Sequence, residues 1–467
     1  MRGGDPRSRD GRRRHRPRGR ECGARRGDGE CSFSGRFVVV VSKTTSDDEH
    51  EPGGCRRRAC RAASLVARAP HAMRASTFAA PPRASRPIRA RAPRRRVSRR
   101  APHAASSSDR RVAADDDVRL VEFYSGSGMM RWALDRALAS EGLGRRARGL
   151  AAVDNSEVAN AVYAANFPDD PVGPLRRNVE HLTAADLDAP PFANADVWTL
   201  SPPCQPFTRK GKELHGDDPR AASFLHLLRL FPTLREPPRR VLVENVVGFE
   251  TSAARDALVA ALDARGYARR EFLVSPRHLG VPYVRDRYYM LAKAPGLHFR
   301  DQDVPGSIPI RGGAPRRRVL AEYLEAELPG AEGSDPSLTV PAAVARKYWR
   351  WLNVVTPAST SCQCFTAGYG KTVYGGCVLA SESFAASSKC VPSDAAEGRF
   401  RLAGPPEEDD EGQLRYFSPR EIANLHGLSE SFALPSELSR RQLYFTLGNS
   451  VSVDVVAELA EHLMDDA

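Results

Sequence analysis

The sequence of 467 residues contains no uninterrupted run of about 18 apolar residues, so we expect no transmembrane helix. It also lacks any pair of cysteines in C-x-x-C spacing, which disfavours a structural zinc site. Its nine cysteines do not form the dense pattern that is typical of the disulfide framework of a small secreted domain. A reducing compartment therefore fits best.

Acidic residues are scarce at the N-terminus. Residues 1–114 hold 30 of the 70 Lys and Arg residues but only 10 of the 57 Asp and Glu residues, so this segment carries +20 and the remainder carries −7. Residues 73–108 contain no acidic residue at all. This composition predicts a disordered extension and is typical of an organelle transit peptide; a basic RNA-binding arm and uninformative filler are the alternatives. Met73 is an alternative start of the chain.

The expected location follows from that extension. Without an import signal we expect the protein in the cytoplasm or nucleus. If the extension is a transit peptide, we expect it in a plastid or mitochondrion.

Strand and helix patterns begin at Val118 and alternate as far as Lys293. Apolar runs predict strands at 119–124, 149–153, 196–200, 240–244, 270–274 and 288–292. Helical patterns lie between them at 129–140, 156–166, 221–234 and 252–265. This alternation predicts an α/β fold with a doubly wound, mostly parallel sheet, whose ligands bind at the carboxyl ends of the strands.

The alternation weakens after residue 293. Pro- and Gly-rich loops, with helical patterns near 318–327 and 340–352, predict a smaller domain of irregular structure. Helical patterns return at 419–425 and 453–464. The predicted divisions are the extension 1–114, a larger α/β domain 115–293, the smaller domain 294–415, and a C-terminal segment 416–467 that returns to the larger domain.

The first predicted strand runs into a glycine-rich turn, Tyr124-Ser-Gly-Ser-Gly128, before the first helix. Such a turn lets a ligand approach the backbone, but the third glycine of the dinucleotide fingerprint is missing. Asp154 ends the second strand, where an acid suits the hydroxyls of a ribose. Together they favour a ribose-bearing cofactor without a diphosphate, such as S-adenosylmethionine. A plain tight turn and a helix-capping aspartate are the alternatives.

A cysteine follows the third strand inside the stiff loop Ser201-Pro-Pro-Cys-Gln-Pro-Phe-Thr208. Cysteine thiolates are good nucleophiles, and the flanking prolines restrict the backbone and so place the sulfur of Cys204. Glu244 ends the next strand, so it should lie beside Cys204, where a desolvated carboxyl can donate a proton. An inert buried cysteine and an ordinary strand-end acid are the alternatives.

Three further motifs carry polar groups or cysteines. Arg285 and Arg287 flank Asp286 ahead of a strand, and two arginines on one side of an extended segment can hold a base carbonyl or a phosphate. In Gly448-Asn-Ser-Val451, Asn449 or Ser450 is predicted to cap the last helix and to offer polar groups to a ligand. The alternatives are a solvated charge pair and a simple turn. Cys362-Gln-Cys364 has poor metal geometry and is interpreted as structural or substrate-facing.

In their order and spacing, these blocks resemble the cytosine-5 methyltransferase family over roughly Val118 to Asp465. Within that family, four stretches are most similar to the branch that acts on aspartate tRNA: 201–209, 244–250, 364–370 and 414–424. Met129 departs from the family pattern, which usually has glycine at that position. The N-terminal 114 residues have no counterpart in the family.

The resemblance implies a Rossmann-like methyltransferase fold, with the larger domain binding S-adenosylmethionine and the smaller domain recognising the target. It implies that Cys204 is the nucleophile, that Glu244 protonates the ring, and that Arg285 and Arg287 belong to the base pocket. The implied cofactor contacts are Tyr124, Ser127, Gly128, Met129, Asp154, Val179, Glu180, Ser201 and Ser450.

The implied reaction is methylation of carbon 5 of cytosine in tRNA, at cytosine 38 in the anticodon loop of aspartate tRNA, through a covalent bond between Cys204 and the base. A DNA cytosine-5 methyltransferase is the first alternative, although the charge of −7 outside the extension argues against wrapping duplex DNA. A catalytically inactive nucleic-acid-binding protein is the second, and the intact Cys204, Glu244 and arginine set argues against it.

Overall fold

The computed structural model of the protein describes residues 117–140, 145–203, 219–300, 315–325, 335–372 and 375–466. The predictions made for the N-terminal extension lie outside these residues. Cys204 and the remainder of its loop, through Thr208 and Arg209, lie outside them as well.

Seven strands of the described residues form the larger sheet. They are β1 (Val118–Phe123), β2 (Ala147–Val153), β3 (Pro174–Leu175), β4 (Val197–Leu200), β5 (Arg240–Val246), β6 (Ala268–Val274) and β7 (Arg287–Lys293). Their order is β3-β2-β1-β4-β5-β7-β6, and every neighbouring pair is parallel except the two that involve β7. The predicted doubly wound, mostly parallel α/β sheet is confirmed. All four residues of β4 are buried, as expected for a strand covered on both faces.

Helices connect these strands. They are α1 (Met129–Ser140), α2 (Glu157–Asn166), α3 (Ala184–Leu187), α4 (Pro219–Leu230) and α5 (Ala253–Asp263). Ser156 caps α2 as predicted, because its Oγ accepts a hydrogen bond from the Ala159 N–H at 3.2 Å. Between α3 and β4 the chain turns through a cis Pro190–Pro191 peptide bond.

A second sheet lies in the part of the sequence for which irregular structure is predicted. Its strands are β8 (Asn353–Val355), β9 (Cys377–Ala380), β10 (Cys390–Asp394), β11 (Arg399–Leu402) and β12 (Leu414–Arg415), in the order β10-β11-β8-β9-β12. Helices α6 (Ala342–Tyr348) and α7 (Glu382–Ala385) accompany it. The strands have two to five residues, and every residue of β9 is buried, so neither length nor alternation reveals them in the sequence.

The helix predicted over 318–327 is replaced, in its described part, by a 3₁₀ turn at Leu320–Tyr323. The backbone N–H of Glu325 donates to the carboxylate of Glu421 at 3.1 Å. In a longer helix this N–H would instead donate to a backbone carbonyl of the preceding turn. A tertiary contact therefore overrides the local helical pattern.

The C-terminal segment contains α8 (Pro419–Leu425), α9 (Arg440–Gly448) and α10 (Val453–Met464). Helix α10 packs on the larger sheet: Leu459 and Leu242 of β5 share one core, whereas Val241 on the other face of β5 shares a second core with Phe224 of α4. The predicted cap of α10 is wrong. Ser452 precedes α10, and Asn449 instead ends α9, which the sequence did not predict.

None of the helices in the described ranges is long and apolar enough to cross a membrane.

Candidate active site

A cavity of about 410 Å³ opens at the carboxyl ends of β1, β2, β4 and β5. Parallel strands bring these ends to one edge of the sheet, where the ligands of such folds bind. The residues singled out in the sequence that line it are Tyr124, Ser127, Asp154, Val179, Ser201, Glu244, Arg285, Arg287, Asn449 and Ser450. The structure does not bring Gly128, Met129 and Glu180 to the cavity wall.

The turn after β1 is sharply bent, with positive φ angles at Tyr124 (58°), Gly126 (55°) and Gly128 (80°). A β-carbon on Gly126 would meet no atom within 4 Å, so the backbone is open on that side. A β-carbon on Gly128 would come within 2.4 Å of the Phe167 ring, so this glycine serves packing. Met129 is likewise buried in the core rather than in the cavity.

Asp154 ties the glycine turn to the start of α2. One carboxylate oxygen accepts from the Gly126 N–H at 2.9 Å, and the other accepts from the Ser156 N–H at 2.7 Å. Burial raises the pKa of this carboxyl, and the hydrogen bonds from backbone N–H groups oppose the rise. A carboxylate offers about four lone-pair positions, so Asp154 keeps acceptor capacity on a cavity-lining side chain for the two hydroxyls of a ribose.

Tyr124 and Glu180 flank this end of the cavity. The Tyr124 hydroxyl donates to Ser223 Oγ at 3.0 Å. Burial raises the pKa of that hydroxyl, and the nearby Glu180 carboxylate adds to the rise. Glu180 itself is exposed on a 3₁₀ turn that Asn178 caps, so it acts on the cavity through charge rather than contact.

Glu244 lies at the centre of the opposite end. Ser201 Oγ donates to one of its carboxylate oxygens at 2.5 Å, and Arg287 Nε lies 3.2 Å from the other. Glu244 is 7% exposed. The parallel strands β4 and β5 bring Ser201 and Glu244 together, because Ser201 directly follows β4 and Glu244 belongs to β5. Arg287 comes from β7, which is antiparallel to β5. The carboxyl group is therefore held in one orientation by a hydroxyl and a guanidinium.

The loop that leads to Cys204 begins beside Glu244. The side-chain amide of Asn245 donates to the Pro202 carbonyl at 3.3 Å, which fixes the first part of the loop. Pro202 and Pro203 both line the cavity. The described residues that precede Cys204 thus share the cavity with Glu244, whereas the sulfur itself lies outside the described ranges.

Arg285 and Arg287 occupy different environments. Arg285 is 3% exposed, and its guanidinium donates to Cys364 Sγ at 3.2 Å, to the Phe365 carbonyl at 3.2 Å, to the Gly448 carbonyl at 3.1 Å, and to the Ser450 carbonyl. Arg287 instead pairs with Glu244. The sequence predicts the same role for both arginines. In the structure, however, most N–H donors of Arg285 form hydrogen bonds with other atoms of the protein.

Cys364 is the partly buried thiol among the described cysteines, and Cys362, Cys377 and Cys390 are buried. Burial disfavours its thiolate, but Arg285 and Arg287 outweigh that cost and lower the pKa of the Cys364 thiol. Burial raises the pKa of Cys377 to about 12 and that of Cys390 to about 11. Cys364 is therefore distinct from the three buried cysteines, and it contacts Arg285, which lines the cavity.

Two segments that are 323 residues apart in the sequence meet at Ser127 and Ser450, whose hydroxyl oxygens are 3.2 Å apart. Gly448 lets the same turn pack against the backbone at Ala367, because a β-carbon there would come within 2.2 Å of the Ala367 backbone nitrogen. Other cavity-lining residues escaped the sequence analysis: Arg177, Asn178, Ser223 and Phe445. Phe445 belongs to helix α9, which the sequence patterns did not predict. Prediction of that helix is the signal that could have identified Phe445 as a candidate.

Among the described residues, no group of three or more His, Cys, Asp or Glu side chains is arranged to hold a metal ion. The polar groups of the cavity are hydroxyls, carboxylates, guanidinium groups and open backbone. A sheet of this topology, with such a cavity at its carboxyl edge, has the Rossmann-like methyltransferase fold.

The family model for the C-5 cytosine-specific DNA methylase matches residues 118–465, and the chain belongs to this family. It is 32% identical over 405 residues to the tRNA (cytosine(38)-C(5))-methyltransferase of Mus musculus, covering 74% of this chain and 92% of that protein. It is 28% identical over 386 residues to the DNA (cytosine-5)-methyltransferase of Dictyostelium discoideum, covering 75% and 95%.

Solved structures agree with this assignment. The crystal structure of the S. pombe Dnmt2 methyltransferase is similar with a TM-score of 0.59 and 31% identity, covering 74% of this chain and 98% of that one. The structure of the Entamoeba histolytica methyltransferase EhMeth is similar with a TM-score of 0.60 and 28% identity, covering 75% and 98%.

Proposed function

We propose that this protein methylates carbon 5 of cytosine in tRNA, with S-adenosylmethionine as the methyl donor. The observation that carries the proposal is Glu244, held by Ser201 and Arg287 beside the loop that leads to Cys204. The finer proposal is that the target is cytosine 38 in the anticodon loop of aspartate tRNA. The name of the Mus musculus relative, which states this position in tRNA, supports it.

The cavity-lining residues fit the proposed cofactor. Asp154 would hold the ribose hydroxyls, since its carboxylate is fixed by two backbone N–H groups and retains acceptor capacity. The open backbone at Gly126 and the hydroxyls of Ser127 and Ser450 would hold the remainder of the molecule. When bound, S-adenosylmethionine supplies an electrophilic methyl group on its sulfonium.

The proposed chemistry at the base begins with Cys204. Its thiolate attacks carbon 6 of cytosine, a carbon–sulfur bond forms, and the electron pair moves toward carbon 5 and N3. Glu244 donates a proton at N3 and so neutralises the charge that develops on the ring. Carbon 5 becomes nucleophilic as a result. After methylation, a base removes the carbon-5 proton, the double bond between carbons 5 and 6 forms again, and the carbon–sulfur bond breaks with its electron pair returning to Cys204 as the thiolate. N3 returns its proton to Glu244.

The two groups that hold Glu244 have separate tasks in this proposal. Ser201 orients the carboxyl group, and Arg287 lies beside it, where its remaining N–H groups can donate to the base. The target base must leave its stack to present a ring face to the sulfur. Bases of single-stranded RNA loops are already partly unstacked, which lowers that cost and favours an anticodon loop as the substrate.

DNA is the second candidate substrate. The DNA (cytosine-5)-methyltransferase name of the Dictyostelium relative favours it, because the same core chemistry acts on both nucleic acids. The net charge of −7 outside residues 1–114 opposes it, since duplex DNA is bound chiefly by neutralising its phosphates.

Bisulfite sequencing distinguishes the substrates. The protein is incubated with S-adenosylmethionine and either total small RNA or genomic DNA, with Cys204→Ala as the control. We expect one protected cytosine at position 38 of aspartate tRNA and none with the variant. Protection in DNA alone would overturn the choice of tRNA, and protection elsewhere in tRNA would overturn position 38.

A further inference from the structure

A buried histidine that no motif singles out connects the turn after α9 to Tyr283. His426 is fully buried at the end of α8. Its Nδ1 lies 2.7 Å from the Val451 carbonyl oxygen, and its Nε2 lies 3.2 Å from the Tyr283 hydroxyl. The ring also packs edge-on against Tyr283, with centroids 5.2 Å apart.

These two contacts define the tautomer of His426. A carbonyl oxygen only accepts, so Nδ1 carries the hydrogen and Nε2 accepts from the Tyr283 hydroxyl. Burial lowers the pKa of His426 to about 3, with Arg285 acting in the same direction, so the ring is neutral at pH 7. The Tyr283 oxygen is then turned to accept from Arg285 Nη1, 3.4 Å away.

Arg285 carries the connection onward in two directions. Its Nη2 donates to the carbonyls of Gly448 and Ser450, and its Nη1 donates to the carbonyl of Phe365. Together with His426, Arg285 therefore holds three carbonyls of the turn 448–451. This turn carries Ser450, whose hydroxyl lies 3.2 Å from that of Ser127 in the cavity wall. Arg285 also lines the cavity, and it interacts electrostatically with Glu244.

We propose that His426 and Tyr283 are positioning residues of the methyl-transfer site. The Nδ1–H of His426 fixes the turn 448–451, and its Nε2 orients Tyr283 and, through Tyr283, the Arg285 guanidinium that holds Cys364 and Phe365. Neither residue lines the cavity, so both act through others. The inference deepens the proposed function and rests on it for the part that concerns turnover.

Three substitutions separate the two halves of the connection. His426→Asn keeps an amide donor for Val451 and loses the acceptor for Tyr283. His426→Gln places its amide near the Nε2 position and loses the donor to Val451. Tyr283→Phe removes only the hydroxyl. His226→Asn and His226→Gln are matched controls, because His226 also contacts a carbonyl, that of Leu182 at 2.7 Å, but does not line the cavity.

Binding of S-adenosylmethionine is measured by calorimetry without RNA, and kcat is measured at saturating S-adenosylmethionine and tRNA. We expect His426→Gln to raise the Kd for S-adenosylmethionine roughly tenfold, as for the loss of one buried hydrogen bond, with kcat nearly kept. We expect His426→Asn and Tyr283→Phe to lower kcat roughly tenfold with the Kd nearly kept.

The inference is overturned if the Asn and Gln variants of His426 change the same constant, or if all three variants match the His226 controls. Thermal melting identifies a histidine variant that does not fold, and Tyr283→Phe, which lacks one oxygen, then decides: an unchanged kcat overturns the inference. If the wild type methylates no RNA, the proposed function fails, while the Kd of His426→Gln against that of His426→Asn still tests the connection.

Discussion

The two ends of the cavity differ in the groups that hold their carboxylates: backbone groups at one end and side chains at the other. At the end where we propose that the cofactor binds (the cofactor end), Asp154 is held by backbone N–H groups and Gly126 presents open backbone. At the end where we propose that the base binds (the base end), Glu244 is held by the side chains of Ser201 and Arg287. Backbone groups keep their position when neighbouring side chains change, whereas each group at the base end depends on its partner.

This difference has a consequence for the effects of substitutions. At the base end, a single side chain carries a chemical task, so its loss should lower kcat. At the cofactor end, several backbone and hydroxyl groups share the binding, so a single loss should raise a Kd while leaving turnover at saturation. The presence of Met129 where the family usually has glycine fits this distinction, because its side chain is buried away from the cavity.

The largest effect is expected at Cys204. Cys204→Ala removes the proposed nucleophile and should abolish methyl transfer, while the Kd for S-adenosylmethionine stays within about twofold, because the proposed task of the thiol is to attack the base rather than to bind the cofactor. Turnover is measured by transfer of a labelled methyl group to tRNA, and the Kd by calorimetry. Cys390→Ala, a change at a buried cysteine of the smaller sheet, is the control. Residual turnover in the Cys204 variant would refute covalent catalysis by this sulfur.

Glu244→Gln should lower kcat by about 10²–10⁴-fold, because the amide keeps contacts to Ser201 and Arg287 but does not donate the proton that the ring requires. Steady-state kinetics with tRNA provide the measurement. Glu250→Gln is a matched control, since Glu250 accepts from the Gly248 N–H at 2.7 Å and does not line the cavity. An equal decrease in kcat in both variants would show that Glu244 does not act in the reaction.

Asp154→Asn should raise the Kd for S-adenosylmethionine by about 10–100-fold, the effect of losing a hydrogen bond to a charged acceptor. The amide also turns an N–H₂ group toward one of the two backbone donors. The kcat at saturating cofactor should change little. Asp186→Asn, at the exposed start of α3, controls for loss of a capping carboxylate. A loss confined to kcat would contradict the separation between the two ends.

A smaller effect is expected for the thiol of Cys364. Because Arg285 and Arg287 lower its pKa, its thiolate forms at a lower pH than those of Cys377 and Cys390, whose pKa values are about 12 and about 11. In Cys204→Ala protein at pH 7, Cys364 should be alkylated by iodoacetamide at least about tenfold faster than these two. Peptide mass spectrometry follows each site.

Arg287→Met should slow alkylation of Cys364, because it removes one of the two positive charges that favour the thiolate. Arg269→Met, at the start of β6, is the control. If Cys364 reacts no faster than Cys390, or if the Arg287 variant leaves its rate unchanged, the arginines do not set its reactivity.

Local patterns in the sequence predicted much of the larger sheet. The bounds of α1, α8 and α10 agree with the helical patterns, and Ser156 caps α2 as expected. The order of motifs along the chain also indicated which strand ends carry polar groups, so Asp154, Ser201 and Glu244 were expected at one edge of the sheet. These features depend on residues close together in the chain or on the topology of parallel strands.

The smaller sheet and the directions of long side chains did not follow from such patterns. Its strands are too short to show alternation, and the helix expected near residue 320 gives way to a hydrogen bond with Glu421. Arg285 and Arg287 are two residues apart, yet one reaches the turn 448–451 and the other reaches Glu244.

The sequence by itself determined the class of fold, the strand ends at which the motifs of the site lie, and the kinds of groups available for the chemistry. Only the tertiary structure decided which groups meet, as between Ser127 and Ser450, or His426 and Tyr283. The physical reason is how far apart in the sequence the interacting residues lie. Helical and strand patterns reflect interactions between near neighbours, whereas these contacts join residues more than a hundred positions apart and exist only once the elements have packed.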